Sequence, residues 1–226
     1  LDTNRWKKSV SGNNVYIKPD ISGSKPMVSI IMPSACKLEF ITPCIDSIID
    51  KTSYANYEII IVCNSIRLED EKQRHYLDKI KLHPKINLIT YDDSGFNFSK
   101  VVNIGVKEAR GEFLCLLNDD IEVLTTSWIE EMICWFKVEG VGAVGAKLLY
   151  PDKSIQHAGI TLGLNGLCDH LEKNSQKGSV NFNLRISFPR SFSAVTGACL
   201  MTTRKTFDQV NGFDECFAEA FNDVDF

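Results

Sequence analysis

Residues 113–123 read FLCLLNDDIEV, and no other stretch restricts the fold of this chain as much. An apolar run, Phe113 through Leu117, ends abruptly in Asn118, Asp119 and Asp120. A short apolar run bounded by turn signals reads as a buried strand of a parallel sheet. Carboxylates at its end then stand where open α/β sheets place their ligands. Two adjacent acids repel each other and resist desolvation unless a cation sits beside them. The cation that suits them is a hard divalent metal, Mg²⁺ or Mn²⁺, which binds through one or two carboxylates and completes its shell with substrate phosphates. Taken alone, an Asp-Asp pair is better read as a polar loop after a strand, and it is the downstream sequence that changes that balance.

The chain of 226 residues is long enough to bury one substantial core. Apolar residues make up 44% and charged residues 24%, an ordinary globular balance. The net charge of −4 argues against a nucleic-acid surface, which needs a basic stripe. No apolar run approaches the roughly 20 residues that cross a bilayer. The chain begins at Leu1 with no signal peptide and stops in mid-pattern at NDVDF, so it reads as a fragment of a longer protein. Eight cysteines (Cys36, Cys44, Cys63, Cys115, Cys134, Cys168, Cys199 and Cys216) include no CxxC pair. Several lie inside apolar patterns and read as buried free thiols, which implies a reducing, cytoplasmic setting.

Residues 1–26 are rich in Ser, Gly, Asn and Lys and read as a leader or linker, with Trp6 and Tyr16 packing on a neighbouring region. A single α/β domain follows over 27–226. Strands are expected at 28–32, 58–62, 86–91 and 113–117, all four central in a mainly parallel sheet. Between them Ile41, Cys44, Ile45, Ile48 and Ile49 mark a helical face. An exposed helix is expected at 69–80 and another at 98–109, with Asn97 and Ser99 capping it and Gly111 closing it. Strand, helix, strand in this order is the βαβ repeat with right-handed crossovers. Further on, Ser127 with Glu130 suggests a capping box for a helix through Trp135, with Trp128 and Trp135 facing the core. Strands are expected at 141–150 and 194–202, separated by a loop-rich region at 152–193.

With these pieces in place, the sequence resembles the family 2 glycosyltransferases of GT-A fold, and most closely their rhamnosyltransferase-like branch that builds bacterial surface polysaccharides. The resemblance covers 27–226. VSIIMPS matches the opening strand, and residues 95–120 (GFNFSKVVNIGVKEARGEFLCLLNDD) match the central block ending in a variant of the DXD metal motif. VGAVGAKLLYPDKSIQHAGITLG, VTGACLMTTRKTF and NGFDECFAEAFNDVDF follow in the family's order.

The resemblance implies transfer of a sugar, with inversion, from a nucleotide-diphosphate donor to an acceptor hydroxyl on a glycan or lipid-linked acceptor. It implies a Mn²⁺ or Mg²⁺ cofactor and peripheral membrane association through regions outside this chain. Asn118, Asp119 and Asp120 occupy the DXD position, with Asp120 the direct metal ligand. Asp223 matches the catalytic base, and such a base must reach the attacking hydroxyl to take its proton. Asn103 and Gly105 match an NxG element beside the nucleotide, and Pro33 and Ser34 border base and ribose. Cys63 and Asn64 fall where relatives carry an Asp toward the nucleotide, and a thiol cannot replace a carboxylate acceptor. His157, Gly197 and Asp214 are acceptor-side candidates. Lys100 and Arg110 are cations near enough in sequence to approach a diphosphate, although helix-surface cations usually face water.

A dehydrogenase is rejected because Pro33-Ser34-Ala35-Cys36 stands where G-x-G-x-x-G is required. The rival reading is a non-catalytic glycosyltransferase-like domain that binds sugar or scaffolds a complex. Cys63 and Asn222, where an acid is common, favour it; Asp120 and Asp223 oppose it.

Overall fold

Apolar runs without alternation need cover on both faces, and the chain supplies it with helices between successive strands. The computed structural model describes residues 6–11, 14–23, 25–68, 70–175 and 188–226. Its first half runs β1 (Trp6–Ser11), β2 (Asn14–Pro19), β3 (Val28–Ser34), α1 (Leu38–Lys51), β4 (Tyr57–Asn64), α2 (Glu71–Ile80), β5 (Ile86–Tyr91), α3 (Phe98–Glu108) and β6 (Phe113–Leu117). Its second half runs α4 (Trp128–Ile133), β7 (Ala143–Gly145), β8 (Leu148–Leu149), β9 (Ile155–His157), β10 (Ile160–Leu162), β11 (Cys168–His170), β12 (Cys199–Thr203), α5 (Arg204–Gln209) and α6 (Asn222–Asp225).

Six strands form one sheet in the order β5-β4-β3-β6-β12-β7. The first four are parallel, and β12 runs antiparallel to both β6 and β7. This is a mainly parallel sheet flanked by helices, as a GT-A fold requires. Side-chain alternation divides the core. Ile30, Met32, Ile59, Ile61, Cys115 and Leu117 face α1 and α4 with Cys44, Ile45 and Ile48. Ile31, Leu114 and Leu116 face α3 and α5 with Val102, Val106 and Phe207.

Two glycines let α3 and its exit loop sit close to the sheet. A Cβ on Gly105 would lie 2.6 Å from Ile31 Cγ2 and 2.9 Å from Val62 Cγ2, so only hydrogen fits between helix and strands. A Cβ on Gly111 would lie 2.5 Å from the Ser29 backbone nitrogen. Gly111 therefore serves a close backbone approach, whereas the cap position of α3 is Ala109 in an extended conformation.

The structure corrects several expectations. Strand β5 is an edge strand, with Asn87 and Thr90 exposed, because among the described residues nothing pairs with its outer side. Within the stretch expected to be a leader or linker, residues 6–11 and 14–19 pair as antiparallel strands. Tyr16 does pack on a neighbour: its hydroxyl donates to Glu131 at 3.1 Å, and Lys18 pairs with the same carboxylate. Ser127 makes no side-chain cap, and Glu131 N–H donates instead to its carbonyl. Trp128 and Trp135 pack partly buried on the larger core. The 141–150 strand divides into β7 and β8, and the strand expected from 194 begins only at Cys199, after a turn. Of the loop-rich region 152–193, residues 176–187 lie outside the described residues. What is described there includes the short pairs β8–β9 and β10–β11.

Candidate active site

The order of the sheet places a topological switch between β3 and β6, because the chain leaves β3 toward β4 and later returns to its other side. Ligands of open α/β sheets bind at the carboxyl ends of strands beside such a switch. Ser34 ends β3 and Asp119 follows β6. The Ser34 hydroxyl donates to Asp119 Oδ2 at 2.5 Å while accepting from Cys36 N–H at 2.8 Å. Burial pushes the Asp119 carboxyl above its usual range, the Ser34 hydrogen bond opposes this, and the neighbouring Asp120 adds to it. Asp120 itself is exposed. Beneath the pair, the Cys44 thiol lies 3.7 Å from the Asn118 carbonyl and is pushed up to about 12, by burial first and the Asp119 charge second.

A half-buried carboxylate held above its usual range, beside a second that is fully solvated, is a site that a cation relieves. Both donors are hard oxygens, the chemistry of Mg²⁺ or Mn²⁺. Among the described residues no three His, Cys, Asp or Glu side chains cluster as a metal cage. Two hard oxygen donors suit an ion that takes its remaining ligands from water and phosphate.

The end of β4 is closed rather than open. Cys63 is wholly buried, and its thiol is raised by the adjacent Cys36 thiol and by burial. Asn64 has both ends of its amide in use: Oδ1 accepts from Ile66 N–H at 3.1 Å, and Nδ2 donates to the Asp93 carbonyl at 2.6 Å. The residues that border this mouth are Asp92 and Asp93. Ser65 donates to the Asp92 carboxylate, and Lys100 pairs with Asp93 at 2.6 Å, which holds that carboxyl below its usual range. Sequence reasoning passed over this pair, which also follows a strand, although β5 is mixed in polarity where β6 is wholly apolar. Lys100 is thus engaged by Asp93. Arg110 lies at the opposite end of the sheet, where its guanidinium donates to Glu58 Oε2 at 2.6 and 2.8 Å.

The segment that leads to Asp223 is held by a clasp that α3 makes. Asn97 caps that helix by accepting from Lys100 N–H, and its Nδ2 donates to the Glu215 carbonyl. Phe98 N–H donates to Ala218 and the Ser99 hydroxyl to Phe217, so Ser99 fastens the clasp and does not cap. Asn103 accepts from Phe213 N–H at 3.0 Å and donates to the Phe213 carbonyl at 2.9 Å, as a strand partner would. Its amide faces this segment. Asp214 is exposed and accepts from Cys216 N–H. Phe221 takes a left-handed φ of 62° and starts α6, on which Asp223 is half-buried. Because residues 222–225 are helical, Asp223 and Asp225 do not share a face as they would in an extended segment.

One turn, residues 196–198, joins the parts. Gly197 N–H donates to Asp223 Oδ2 at 2.8 Å, and Asn118 N–H donates to the Ala198 carbonyl at 3.1 Å. Thr196 N–H lies 3.4 Å from His157 Nε2. His157 is buried, with its Nδ1 3.0 Å from His170 Nδ1, so it touches this turn and not an open surface. Burial, and then His170, push its imidazole down to about 4. Pro33 is buried within β3.

Comparison with known proteins fits this geometry. Residues 29–205 match the family described as glycosyl transferase family 2. The chain is 37% identical over 201 residues to protein y4gI of Sinorhizobium fredii, covering 88% of this chain and 22% of that protein. It is 32% identical over 201 residues to the O-antigen biosynthesis protein RfbC of Myxococcus xanthus, covering 88% of this chain and 16% of that one. The chain thus spans less than a quarter of the length of either relative. Among solved structures, the mannosyltransferase PcManGT of Pyrobaculum calidifontis, in complex with GDP-Man and Mn²⁺, matches at TM-score 0.58 and 15% identity over 85% of this chain and 49% of that one. TarS 1–349 of S. aureus in complex with UDP matches at TM-score 0.58 and 14% identity, over 88% and 53%. At these identities the likeness is one of fold.

Proposed function

The chain belongs to glycosyl transferase family 2, and from that premise we propose that it is the catalytic domain of an inverting, metal-dependent glycosyltransferase. It moves a sugar from a nucleoside-diphosphate donor to a hydroxyl of a glycan or lipid-linked acceptor, in the assembly of a bacterial surface polysaccharide. A relative in O-antigen biosynthesis supports the polysaccharide, and solved relatives of the same fold bound to GDP-Man or UDP support the donor. The single observation that carries the reading is the 196–198 turn, which ties the acid-tipped strand and Asp223 to neighbouring residues.

In this reading Asp223 Oδ2 is held by Gly197, and Oδ1 takes the proton of the acceptor hydroxyl as it attacks the anomeric carbon. The bond from that carbon to the diphosphate breaks on the opposite face, and the configuration inverts. Asp120 and Asp119 would hold Mg²⁺ or Mn²⁺, which when bound supplies positive charge against the departing diphosphate. The leaving group needs no proton, so a second acid of the glycosidase kind has no task here. The eight free thiols suit a reducing cytoplasm. Among the described residues no helix is long and apolar enough to cross a membrane.

The test is a panel of UDP-, GDP- and dTDP-sugars with Mn²⁺ or Mg²⁺, scored for release of nucleoside diphosphate with and without acceptor glycans. Metal-dependent release from one donor is expected. Binding of a donor with no turnover under any condition would favour the non-catalytic, sugar-binding alternative.

A further inference from the structure

The 196–198 turn is short, with Thr196 and Ala198 half-exposed and Gly197 buried, and it holds an N–H group beside Asp223. Its three successive amides have three different acceptors. Thr196 N–H points to His157 Nε2, Gly197 N–H to Asp223 Oδ2, and Ala198 N–H to the Thr196 hydroxyl at 3.3 Å. The last of these is internal to the turn, so it does not anchor the turn to the rest of the protein. The first is the contact that joins the amide side of the turn to the buried His157 at the end of β9.

The chemistry of that contact fixes the state of two rings. A backbone N–H only donates, so His157 Nε2 must carry a lone pair. A neutral imidazole then has its proton on Nδ1, from which it donates to His170 Nδ1 at 3.0 Å. His170 must in turn carry its proton on Nε2. The rings meet edge to face, at 81° and with 5.0 Å between centroids, which suits one ring donating into the plane of the other. A protonated His157 would set an N–H against the Thr196 N–H, and its low proton affinity agrees with that arrangement.

We infer that His157 is a positioning residue for Asp223: it holds the Thr196 amide so that the Gly197 amide keeps one carboxylate oxygen in place, and His170 sets the tautomer that makes this contact. The inference rests on the reading of Asp223 as the base, but its first two tests do not. It assigns a role to a histidine pair, His157 buried and His170 half-buried, that makes no hydrogen bond to the acid pair.

Nitrogen-15 NMR of the imidazoles in the unmodified protein is the first test. His157 should be protonated on Nδ1 and bare on Nε2, and the opposite tautomer overturns the inference without any mutation. The second test is amide hydrogen exchange in His157→Asn and His157→Gln. An Asn oxygen or nitrogen reaches about as far as Nδ1 and leaves Thr196 unpaired, whereas Gln extends to the place of Nε2. Exchange at Gly197 should rise about tenfold or more in His157→Asn, with Ile60 and Leu116 in the central strands unchanged, and should return toward normal in His157→Gln. Unchanged exchange at Gly197 in His157→Asn overturns the inference. The third test is turnover, where His157→Asn should lower kcat about tenfold with the donor KM nearly unchanged, and His157→Gln should restore it. Faster exchange at Gly197 with unaltered kcat would uphold the positioning of Asp223 and overturn its assignment as the base.

Discussion

Ser34 at the end of β3 donates its hydroxyl to Asp119 beyond the end of β6, and this 2.5 Å contact bridges the two strands at which the sheet changes direction. The bond selects which oxygen of Asp119 is committed to protein and which is left for a ligand. It also favours the ionised carboxylate against the burial that opposes it.

Metal-dependent binding follows from this pair. Nucleoside diphosphate should bind weakly without Mn²⁺, because Asp119 and Asp120 otherwise repel the phosphates. Calorimetry with and without the metal checks this, and equal affinities would remove the assignment. Asp120→Asn should abolish the metal dependence more completely than Asp119→Asn, without loss of stability, since Asp120 is exposed. Ser34→Ala should weaken metal binding about tenfold by removing the contact that orients Asp119.

Asp223→Asn should leave donor and metal binding nearly intact while turnover falls by about 10²-fold or more, because the proton transfer is used only in the transition state. Steady-state kinetics beside donor titrations separates the two effects. Turnover at the unmodified rate would transfer attention to Asp225, which α6 turns to a different side.

His157 should make folding stability depend on pH in the mildly acidic range. Its imidazole is pushed from 6.5 down to about 4 in the folded protein, so between those values the unfolded chain binds a proton that the folded one does not. Stability is therefore complete above about pH 6.5 and declines as pH falls toward 4, by up to about 3 kcal/mol. Urea unfolding at pH 7 and pH 4.5 measures the loss, and His157→Gln should reduce the part that this residue contributes.

Gly105→Ala should destabilise the protein by about 1–3 kcal/mol, because its Cβ has no room between Ile31 and Val62 unless α3 moves away from the sheet. A lower urea midpoint with an unchanged slope is the expected signature. A neutral effect would mean that α3 shifts without cost.

What could be read from the sequence follows the physics of each signal. The strands at Val28, Tyr57 and Phe113 were legible because burial on both faces leaves no alternation to confuse. The edge position of β5 was not, since apolar content records burial only coarsely; its exposed Asn87 and Thr90 were the sign. The pairing of 6–11 with 14–19 was hidden by composition, as the polar residues suggest a linker while the pairing depends on register. At the site, the acid pair after β6 stood out locally. The partnership of Asn103 with Phe213 did not, because it joins residues 110 positions apart and a single sequence carries no trace of that contact. The same holds for His157 and His170, whose meeting depends on two short strand pairs.

The grip of α3 on residues 213–218 also has a temporal side. The helix and the acid-tipped strand are made early, and the segment that carries Asp223 is synthesised about a hundred residues later, in a process that builds chains from the N-terminus. Until then Asn97, Ser99 and Asn103 have no partners in that segment, and the sheet already presents its two acids. The arrival of Phe213 supplies the paired hydrogen bonds to Asn103 that close the clasp. The anchoring of the segment that carries Asp223 is therefore a later event than the making of the strands that carry the two acids.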